Sequence, residues 1–252
     1  MEELGSAIDV LRRAGRILAY TGAGCSTESG IPDFRGPDGL WTKVDPDDFT
    51  IERYRASREV RVRSWKMHQE GALWGDRADI RPNAAHLGLT DLLDRGRLTG
   101  IVTQNVDGLH QASGAPDDTV AEVHGNVRKS LCLGCASRWS TEEVLTWVDD
   151  GMDDPHCPDC GGLVKTTTVM FGELLPDDEM EKARAMAEPA DAVLVVGSTM
   201  GVHPAALVPL SAVKRGAPMV IVNLGPTEGD DLAAVKVAAP AGATVAALAE
   251  AL

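Results

Sequence analysis

The chain has 252 residues, of which 44% are hydrophobic and 25% charged, a composition typical of a folded globular protein and not of a disordered one. Its 38 acidic residues outnumber its 24 basic residues, and the net charge of −14 disfavours nucleic acid and anionic membranes as partners. No apolar run approaches the roughly 20 residues that a membrane-spanning helix needs, and the N-terminus shows no targeting pattern. We therefore expect a cytoplasmic protein, monomeric or weakly oligomeric, with no nucleic-acid or membrane partner.

The predicted elements alternate between helices and apolar strands. A helix is expected over residues 4–13, and the apolar run 16–20 predicts a first strand. Residues 36–82, rich in Pro, Gly, Asp and Arg, are expected to form loop and short helices. The remaining predicted elements are a helix at 83–95 with Asn83 as its N-cap, strands at 98–103, 119–123, 166–171, 192–196 and 218–222, and a closing helix at 244–252 within an Ala-rich, helix-forming tail over 233–252. This alternation predicts an α/β fold, a Rossmann-like parallel sheet with helices on both faces.

Polar or glycine-containing segments follow five of these strands. They are residues 22–24, 104–107, 124–125, 197–199 and Asn223. In an open parallel sheet the ligand lies at the carboxyl ends of the strands, so we expect these segments to converge on one crevice that binds a dinucleotide. A dehydrogenase fingerprint would place a third glycine where this chain has Thr27, and hydride transfer is therefore disfavoured.

Four of the five cysteines form two C-x-x-C pairs at a separation close to that of zinc ribbons. The pairs are Cys132 with Cys135 and Cys157 with Cys160. Four thiolates complete a tetrahedral site and leave no open position, so we predict one structural Zn²⁺ that takes no part in catalysis. Gly134 and Gly161 are expected to let backbone N–H groups approach the sulfurs. A redox dithiol is the alternative, but it needs a single C-x-x-C pair at the start of a helix and this chain has two pairs. The fifth cysteine, Cys25, is expected to be a small buried side chain and not a nucleophile.

Several longer motifs resemble those of one protein family. They are GAGCSTESGIPDFRG at 22–36, TQNVDGLH at 103–110, HG at 124–125, FGE at 171–173, GST at 197–199 and VN at 222–223, in this order and together with the four cysteines. The set resembles the sirtuins, the NAD-dependent protein deacylases, and the similarity runs from Ile17 to about Val237. The segment 223–232 is most similar to the branch of the family that includes mitochondrial sirtuin 4.

The resemblance implies NAD as co-substrate and assigns a role to many positions. By similarity, residues 1–125 and 166–252 form a Rossmann-like NAD-binding domain, with 36–82 as its mobile cofactor loop and helical part, and 126–165 form the inserted zinc module. His124 is implied as the general base, with Asn105 as a second catalytic residue. The residues implied for binding NAD are Gly22, Ala23, Gly24, Ser26, Ile31, Asp33, Phe34, Arg35, Gln104, Asn105, Asp107, Gly197, Ser198, Thr199, Asn223, Leu224 and Val237. Those implied for the acylated substrate are Val169, Phe171, Gly172 and Glu173, with the backbone of 171–173 pairing to an extended substrate peptide.

The implied function is NAD-dependent lysine deacylation of proteins, most simply deacetylation, in which the acyl group passes to ADP-ribose and nicotinamide is released. The implied partners are proteins with acylated lysines, metabolic enzymes among them. Removal of succinyl or malonyl groups is disfavoured, because neither Tyr20 nor Tyr54 is followed three residues later by the arginine that binds an acidic acyl group in such sirtuins. Three alternatives remain open: mono-ADP-ribosylation on the same scaffold, removal of long-chain or lipoyl groups, and a non-catalytic zinc-containing binding module.

Overall fold

A computed structural model of the chain describes residues 2–34, 39, 42, 44–71 and 80–252. Within these residues the chain forms a six-stranded parallel sheet and a three-stranded antiparallel sheet. The strands are β1 (Ile17–Thr21), β2 (Leu98–Thr103), β3 (Val120–Glu122), β4 (Lys129–Cys132), β5 (Arg138–Ser140), β6 (Val164–Thr166), β7 (Ala192–Val196), β8 (Met219–Val222) and β9 (Val235–Val237). The described α-helices are α1 (Glu2–Arg13), α2 (Ile51–Ala56), α3 (Arg58–Gln69), α4 (Ala84–Asp94), α5 (Leu109–Ala112), α6 (Thr141–Asp149), α7 (Asp177–Ala187), α8 (Leu207–Lys214) and α9 (Ala241–Ala251).

The parallel sheet has the strand order β3-β2-β1-β7-β8-β9, which puts β1 and β7 at its centre. Every residue of these two strands is buried, as their continuous apolar sequences predict for a sheet covered on both faces. Alternate residues of β1 join different core clusters: Ile17 and Ala19 pack with α1, α4 and α9, whereas Leu18 and Tyr20 pack with α7 and α8. The predicted α/β fold with helices on both faces is therefore confirmed.

The antiparallel sheet, in the order β5-β4-β6, has a small core of its own. The buried members of this core are Trp65, Cys132, Val144, Val148, Cys157 and Val164. Trp65 belongs to α3, so this helix packs against the antiparallel sheet. Tyr54 of α2 adds a second connection, because its hydroxyl donates to the carbonyl of Val164 at 2.6 Å.

The predicted strand at 166–171 is wrong. The strand in this region is β6, which ends at Thr166 and pairs antiparallel with β4 instead of joining the parallel sheet. Beyond it, the amide of Val169 donates to the carbonyl of His124 at 2.9 Å, and the amide of Phe171 donates to that of Phe49 at 2.9 Å. Val169 and Phe171 therefore lie in an irregular segment, because their hydrogen-bond partners belong to separate parts of the chain and not to one strand.

The Ala-rich tail is only partly helical, which corrects the prediction for 233–252. Val235 and Val237 lie in β9, the edge strand beside β8, and α9 begins at Ala241. The β-branched side chains of this short strand favour extended backbone over the helix that the flanking alanines indicate. None of the helices within the described ranges combines the length and the apolar character that a bilayer crossing requires.

Candidate active site

Hydrogen bonds join the carboxyl ends of β1, β2 and β7 at one edge of the parallel sheet. The amide of Gly24 donates to the carbonyl of Gly197 at 2.9 Å, and the side-chain amide of Gln104 donates to Ser198 Oγ at 2.7 Å. Gly197 has φ of 62°, and a Cβ at this position would overlap the backbone of Cys25, so the crossing requires glycine. The segments after these three strands thus meet, as the sequence predicts.

Six of the predicted cofactor-binding residues line one pocket at this edge. The lining residues are Ala23, Ser26, Ile31, Pro32, Phe34, Asn105, Val106 and Asp107. Ile31 is buried and packs with Leu109 and Ile80, so one side of the pocket is apolar. Asn105 and Asp107 give the other side an amide and a carboxyl group. This combination suits a flat ligand that carries both an apolar ring and an amide.

The hydroxyl of Ser26 organises the polar side of the pocket. It accepts from Asn105 Nδ2 at 3.0 Å and donates to Asp107 Oδ2 at 2.7 Å, and His86 Nε2 lies 3.4 Å away. The backbone amide of Asn83 donates to His86 Nδ1 at 3.2 Å, so a neutral His86 carries its proton on Nε2 and donates to Ser26. One donor and two acceptor positions of the hydroxyl are then all in use, which fixes the orientation of Ser26.

Asp107 is buried and holds its carboxyl group in a fixed position. Oδ1 accepts from the amide of Leu109 at 2.9 Å, and Oδ2 accepts from Ser26. Burial raises the pKa of Asp107 above its ordinary value, although these two hydrogen bonds and the charge of Arg128 oppose the shift. Each carboxylate oxygen keeps a second lone pair, so Asp107 can also accept from the NH₂ group of a ligand amide.

His124, directly after β3, has one ring nitrogen bonded to the protein. Its Nδ1 lies 3.1 Å from the carbonyl oxygen of Gln104, and a carbonyl only accepts, so Nδ1 carries the proton and Nε2 is the basic nitrogen. Burial lowers the pKa of His124 below its ordinary value, while the bond to Gln104 acts in the opposite direction. A ring of this kind is neutral near pH 7 and can take a proton at Nε2.

Gly125 brings the irregular segment after β6 against His124. Its φ is 75°, and a Cβ there would overlap the carbonyl oxygen of Thr167. The carbonyl of His124 accepts from the amide of Val169 at 2.9 Å. The backbones at Gly125 and Thr167 approach more closely than any side chain at position 125 would allow. This close approach puts Val169, a predicted substrate residue, beside the predicted base.

At Phe171, the first residue of the segment 171–173 that was predicted to pair with a substrate peptide, the backbone already pairs within the chain. The peptide pairing itself stays a prediction. The amide of Phe171 donates to Phe49, and its carbonyl accepts from the amide of Ile51 at 3.0 Å. Both backbone groups of Phe171 are thus used within the chain, because residues 49–51 lie alongside this segment as a substrate strand would. The side chain of Phe171 is 53% exposed and Gly172 is exposed, so the position itself faces solvent.

Glu173 turns towards the protein. Its Oε2 accepts from Lys165 Nζ at 2.9 Å and from the amide of Met170 at 2.8 Å. Lys165 is buried and also donates to the carbonyl of Thr168 at 2.7 Å. The pair closes the irregular segment at its base, and Lys165 contributes to this site although it was not among the predicted site residues.

The ends of β7, β8 and β9 hold further predicted cofactor residues. Thr199 is exposed and lines a groove with Gly201, Pro226, Thr227 and Glu228, of which the last four were not predicted from sequence. The amide of Asn223 donates to the carbonyl of Val237 at 3.2 Å, and its side chain donates to the carbonyl of Gly225. Leu224 is exposed, whereas the side chain of Val237 is buried in the core, so only the backbone of Val237 reaches this edge.

The predicted cofactor loop is described only in part. Arg35 lies outside the described residues, as do 36–38 and 72–79, while Asp33 and Phe34 just before it are half-buried. His86, which was predicted to be structural, supports the pocket from behind through its contact with Ser26. Its position three residues after the N-cap Asn83 matches a capping box, which is the signal that could have placed it beside the pocket.

The four predicted zinc ligands come together in the antiparallel sheet. Their sulfur atoms all lie within 4.8 Å of one another, with 3.5 Å between Cys132 and Cys160 and 3.6 Å between Cys135 and Cys157. Sulfurs at ~2.3 Å from a tetrahedral zinc ion lie about 3.8 Å apart, so the set fits Zn²⁺. The amide of Gly134 donates to Cys132 Sγ at 3.2 Å, as predicted.

The second glycine of the zinc site is Gly162 and not the predicted Gly161. A Cβ at Gly162 would lie 2.8 Å from Cys132 Sγ, whereas Gly161 has open space around it. The backbone after Cys160 therefore approaches the sulfurs one residue later than the motif suggested, because Gly161 takes the turn with φ of 71°. The cluster leaves no place for a substrate and is structural.

An open α/β sheet with a ligand crevice at its strand ends, joined to a four-cysteine module, defines a nucleotide-binding protein with a structural zinc site. The chain matches the Sir2 family over residues 22–204 and belongs to that family, which is the family of the sirtuins.

Curated relatives and solved structures extend the match over nearly the whole chain. The chain is 43% identical over 235 residues to NAD-dependent protein deacetylase 2 of Streptomyces coelicolor, covering 92% of this chain and 95% of that protein. It is 40% identical over 233 residues to NAD-dependent protein deacetylase of Rhodopseudomonas palustris, covering 92% and 89%. A Sir2 structure with a p53 peptide and NAD⁺ has a TM-score of 0.86 at 34% identity, covering 98% of this chain and 97% of that one. A Sir2 variant with a deacetylated p53 peptide and 3′-O-acetyl ADP-ribose has a TM-score of 0.87, also at 34% identity and with the same coverage.

Proposed function

We propose that this chain is an NAD-dependent protein lysine deacetylase, which transfers the acyl group to ADP-ribose and releases nicotinamide. The observation that carries the proposal is the geometry of His124. Its Nδ1 proton is held by Gln104, which leaves Nε2 as a base at the same strand-end edge as the Asn105–Asp107 pocket. The relatives named deacetylases and the Sir2 structures with NAD⁺ and peptide support the same reaction.

The pocket residues fit NAD through their donor set. The apolar wall at Ile31 suits the nicotinamide ring, and Asp107 can accept from the carboxamide NH₂. Bound NAD supplies a positively charged nicotinamide leaving group on a sugar carbon that an acyl-lysine oxygen can attack. Ser26 keeps Asn105 and Asp107 in place, so their positions are fixed before the ligand arrives. The groove that Thr199 lines supports a contact with the more distant part of the dinucleotide in this proposal.

His124 has the properties that a general base needs. Nε2 takes a proton from a ribose hydroxyl, while Gln104 stabilises the ring through Nδ1 in both protonation states. Gln104 is held in turn by its side-chain bond to Ser198. The base is thus oriented by two neighbouring strand ends and does not depend on a carboxylate.

We further propose acetyl or other neutral acyl groups as substrates. Tyr54 uses its hydroxyl on the carbonyl of Val164, and Tyr20 is buried in the core beside the central strands. Neither phenol is available to bind an acyl carboxylate. The half-buried Val169 and Met170, next to His124, offer an apolar lining for a short neutral chain.

The substrates in this proposal are proteins with acylated lysines, and we propose metabolic enzymes among them. A net charge of −14 favours lysine-rich segments and opposes association between copies, which supports a monomer or weak oligomer. The need for reduced thiolates at the zinc site and for NAD supports a cytoplasmic location.

The experiment is an acyl-peptide panel with NAD, read by the mass of every product. We expect deacetylated peptide, nicotinamide and O-acetyl-ADP-ribose in equal amounts, and little turnover of a succinyl peptide. His124→Ala should lower the rate about 10²–10⁴-fold while calorimetry still detects NAD binding. His68→Gln is the matched control, since His68 lies on α3 against Trp65, which packs in the core of the antiparallel sheet. Covalent ADP-ribose on protein without deacylation would replace this proposal with a mono-ADP-ribosyltransferase, and a faster succinyl reaction would contradict the acyl preference.

A further inference from the structure

Three buried side chains meet behind the pocket that Ser26 organises. Cys25 comes from the turn after β1, His86 from the first turn of α4, and His110 from α5. One possible ligand atom from each residue lies within 4.8 Å of the other two, and the three side chains are 1% exposed or less. The rings of His86 and His110 are 5.0 Å apart between centroids. Sulfur and nitrogen donors at such distances are a metal-binding arrangement distinct from the four-cysteine cluster.

His110 has a ring nitrogen without a partner within this cluster. The hydroxyl of Thr21 donates to Thr103 at 2.8 Å, so it accepts from His110 Nε2, which lies 2.9 Å away. A neutral His110 then has no proton on Nδ1, and within the described part of the chain this buried nitrogen makes no hydrogen bond. A buried acceptor that no protein group uses is available to a metal ion.

We propose that Cys25, His86 and His110 bind a second zinc ion, and that this ion disables the neighbouring pocket. One thiolate and two imidazoles form a donor set that suits zinc. An ion at the centre of a triangle with 4.8 Å sides lies about 2.8 Å from each corner, whereas zinc bonds are ~2.0–2.3 Å. The ligands must therefore move inwards by roughly 0.5–0.8 Å, and the thiol of Cys25 gives up its proton to solvent.

The charge around Cys25 favours the ion. The carboxylates of Asp107 and Glu28 both act electrostatically on the thiol of Cys25. A divalent ion with one thiolate leaves one net positive charge, which these two carboxylates stabilise. The same carboxylates disfavour a bare thiolate, so the negative sulfur forms together with the bound ion and not before it.

Binding of the ion disturbs the pocket through His86. Both nitrogens of this ring are already used, Nδ1 by the amide of Asn83 and Nε2 by the hydroxyl of Ser26. An ion that takes either nitrogen removes one of these partners. Loss of the first loosens the N-cap of α4, and Asn83 also donates to the carbonyl of Cys25 at 2.8 Å. Loss of the second frees Ser26, which holds Asp107, so either change lowers the affinity for the dinucleotide.

The test begins from the holoenzyme with its structural zinc in place. Equilibrium dialysis against ZnCl₂, read by elemental analysis, is expected to give two zinc ions per chain for the parent and one for Cys25→Ala and Cys25→Val. Two variants are used so that a folding defect in one does not decide the result. Co²⁺ should give a thiolate charge-transfer band in the parent beyond any in the two variants. His203→Asn, which removes an exposed histidine, is expected to keep the second ion.

The inhibitory effect has its own readout. Preincubation with Zn²⁺ should lower the parent's deacetylation rate slowly, because the ligands are buried, and a chelator of moderate strength should restore it. The deacetylation rates of the two Cys25 variants should not fall during the same preincubation with Zn²⁺. A parent with one zinc ion, or a second ion that the Cys25 variants retain, would overturn the site, and a second ion without effect on rate would overturn the inhibition. Dialysis and cobalt spectra do not need catalysis, so failure of the proposed function and failure of this site are distinguishable.

Discussion

The carbonyl oxygen of Gln104 lies 3.1 Å from Nδ1 of His124, and this one contact decides which ring nitrogen is the base. Because burial lowers the pKa of His124 below its ordinary value, the neutral, active ring persists to lower pH than a free histidine would allow. Protonation of Nε2 removes the base as the pH falls.

The expected pH profile follows from the lowered pKa of His124. kcat/KM should stay level above pH ~6.5 and fall about tenfold per pH unit only below that value. Steady-state rates between pH 5 and 8.5 test this, with peptide and NAD below saturation. The residual activity of His124→Ala should lack the acid limb. An acid limb with a midpoint clearly above ~7 in the parent would contradict the assignment.

Gly125→Ala should reduce kcat/KM far more than the matched control Gly96→Ala does. The new Cβ overlaps the carbonyl of Thr167, so the segment that carries Val169 must move away from His124. Gly96→Ala is the matched control: Gly96 has φ of 67° but open space around it, so both variants carry a left-handed strain of ~1–2 kcal/mol. We expect a loss of kcat/KM of more than about tenfold for Gly125→Ala only. Equal activity in the two variants, measured beside urea unfolding, would refute the close-approach argument.

Removal of zinc should unfold the antiparallel sheet before the parallel one. The four sulfurs hold segments that have only a small apolar core, and a structural zinc ion contributes on the order of 10 kcal/mol to such a module. Hydrogen exchange after chelation is expected to rise sharply across β4, β5 and β6 and only slightly in β1 and β7. Uniform exchange across both sheets, or none, would show that the ion has another role.

Arg61→Ala should destabilise the protein strongly. Arg61 on α3 donates through Nε and Nη2 to the two oxygens of Asp154, each at 2.8 Å, and both side chains are at most 10% exposed. Burial acts against ionisation of Asp154, yet the hydrogen bonds and charge of Arg61 hold its pKa below the ordinary value. Removing one partner of a buried pair costs about 3–5 kcal/mol.

Arg58→Ala is the control for this pair. Arg58 lies on the same helix and contacts Asp153 at 2.6 Å, with its Nε 4.0 Å from Asp154 Oδ2, but its side chain is 63% exposed and that of Asp153 is 51% exposed. Exposed pairs contribute about 0–1 kcal/mol. Urea unfolding of the two variants should therefore differ by a few kcal/mol. Similar losses for both would mean that burial of the Arg61–Asp154 pair has no special weight.

The buried ring of His68 should make stability depend on pH. Burial lowers its pKa to about 4, and the unfolded chain binds this proton near pH ~6.5. Between these two values the unfolded state binds more protons, so stability falls as the pH falls, by up to about 1.4 kcal/mol per pH unit. His68→Gln should flatten this part of the curve, measured by chemical unfolding at pH 7.5 and 5. An unchanged slope would mean that the ring stays protonated or solvated in the folded state.

Local patterns explain why much of the fold was predictable. β2 and β7 match the predicted residues, and for β7 the reason is a continuous apolar run, which identifies a strand buried on both faces. Asn83 caps α4 as predicted, because its side chain bonds to an amide only two residues away. A buried strand and a helix cap depend on residues that are close together in the sequence, so both can be predicted from it.

Predictions failed where partners lie far along the chain. The segment after β6 resembles a strand, but Phe171 pairs with Phe49, and only the packing of the two segments decides that. The cluster of Cys25, His86 and His110 was not predictable for the same reason, because its members come from three separate elements that meet only in the folded chain.

The amino-acid sequence by itself determined the parallel sheet, the two cysteine pairs and the polar segments at the strand ends, because spacing and apolar runs act over a few residues. Tertiary structure alone decided that the proton of His124 sits on Nδ1 and that Glu173 turns towards Lys165. The physical reason is that a hydrogen bond depends on the distance and direction between two groups, and these exist only after distant segments have packed together.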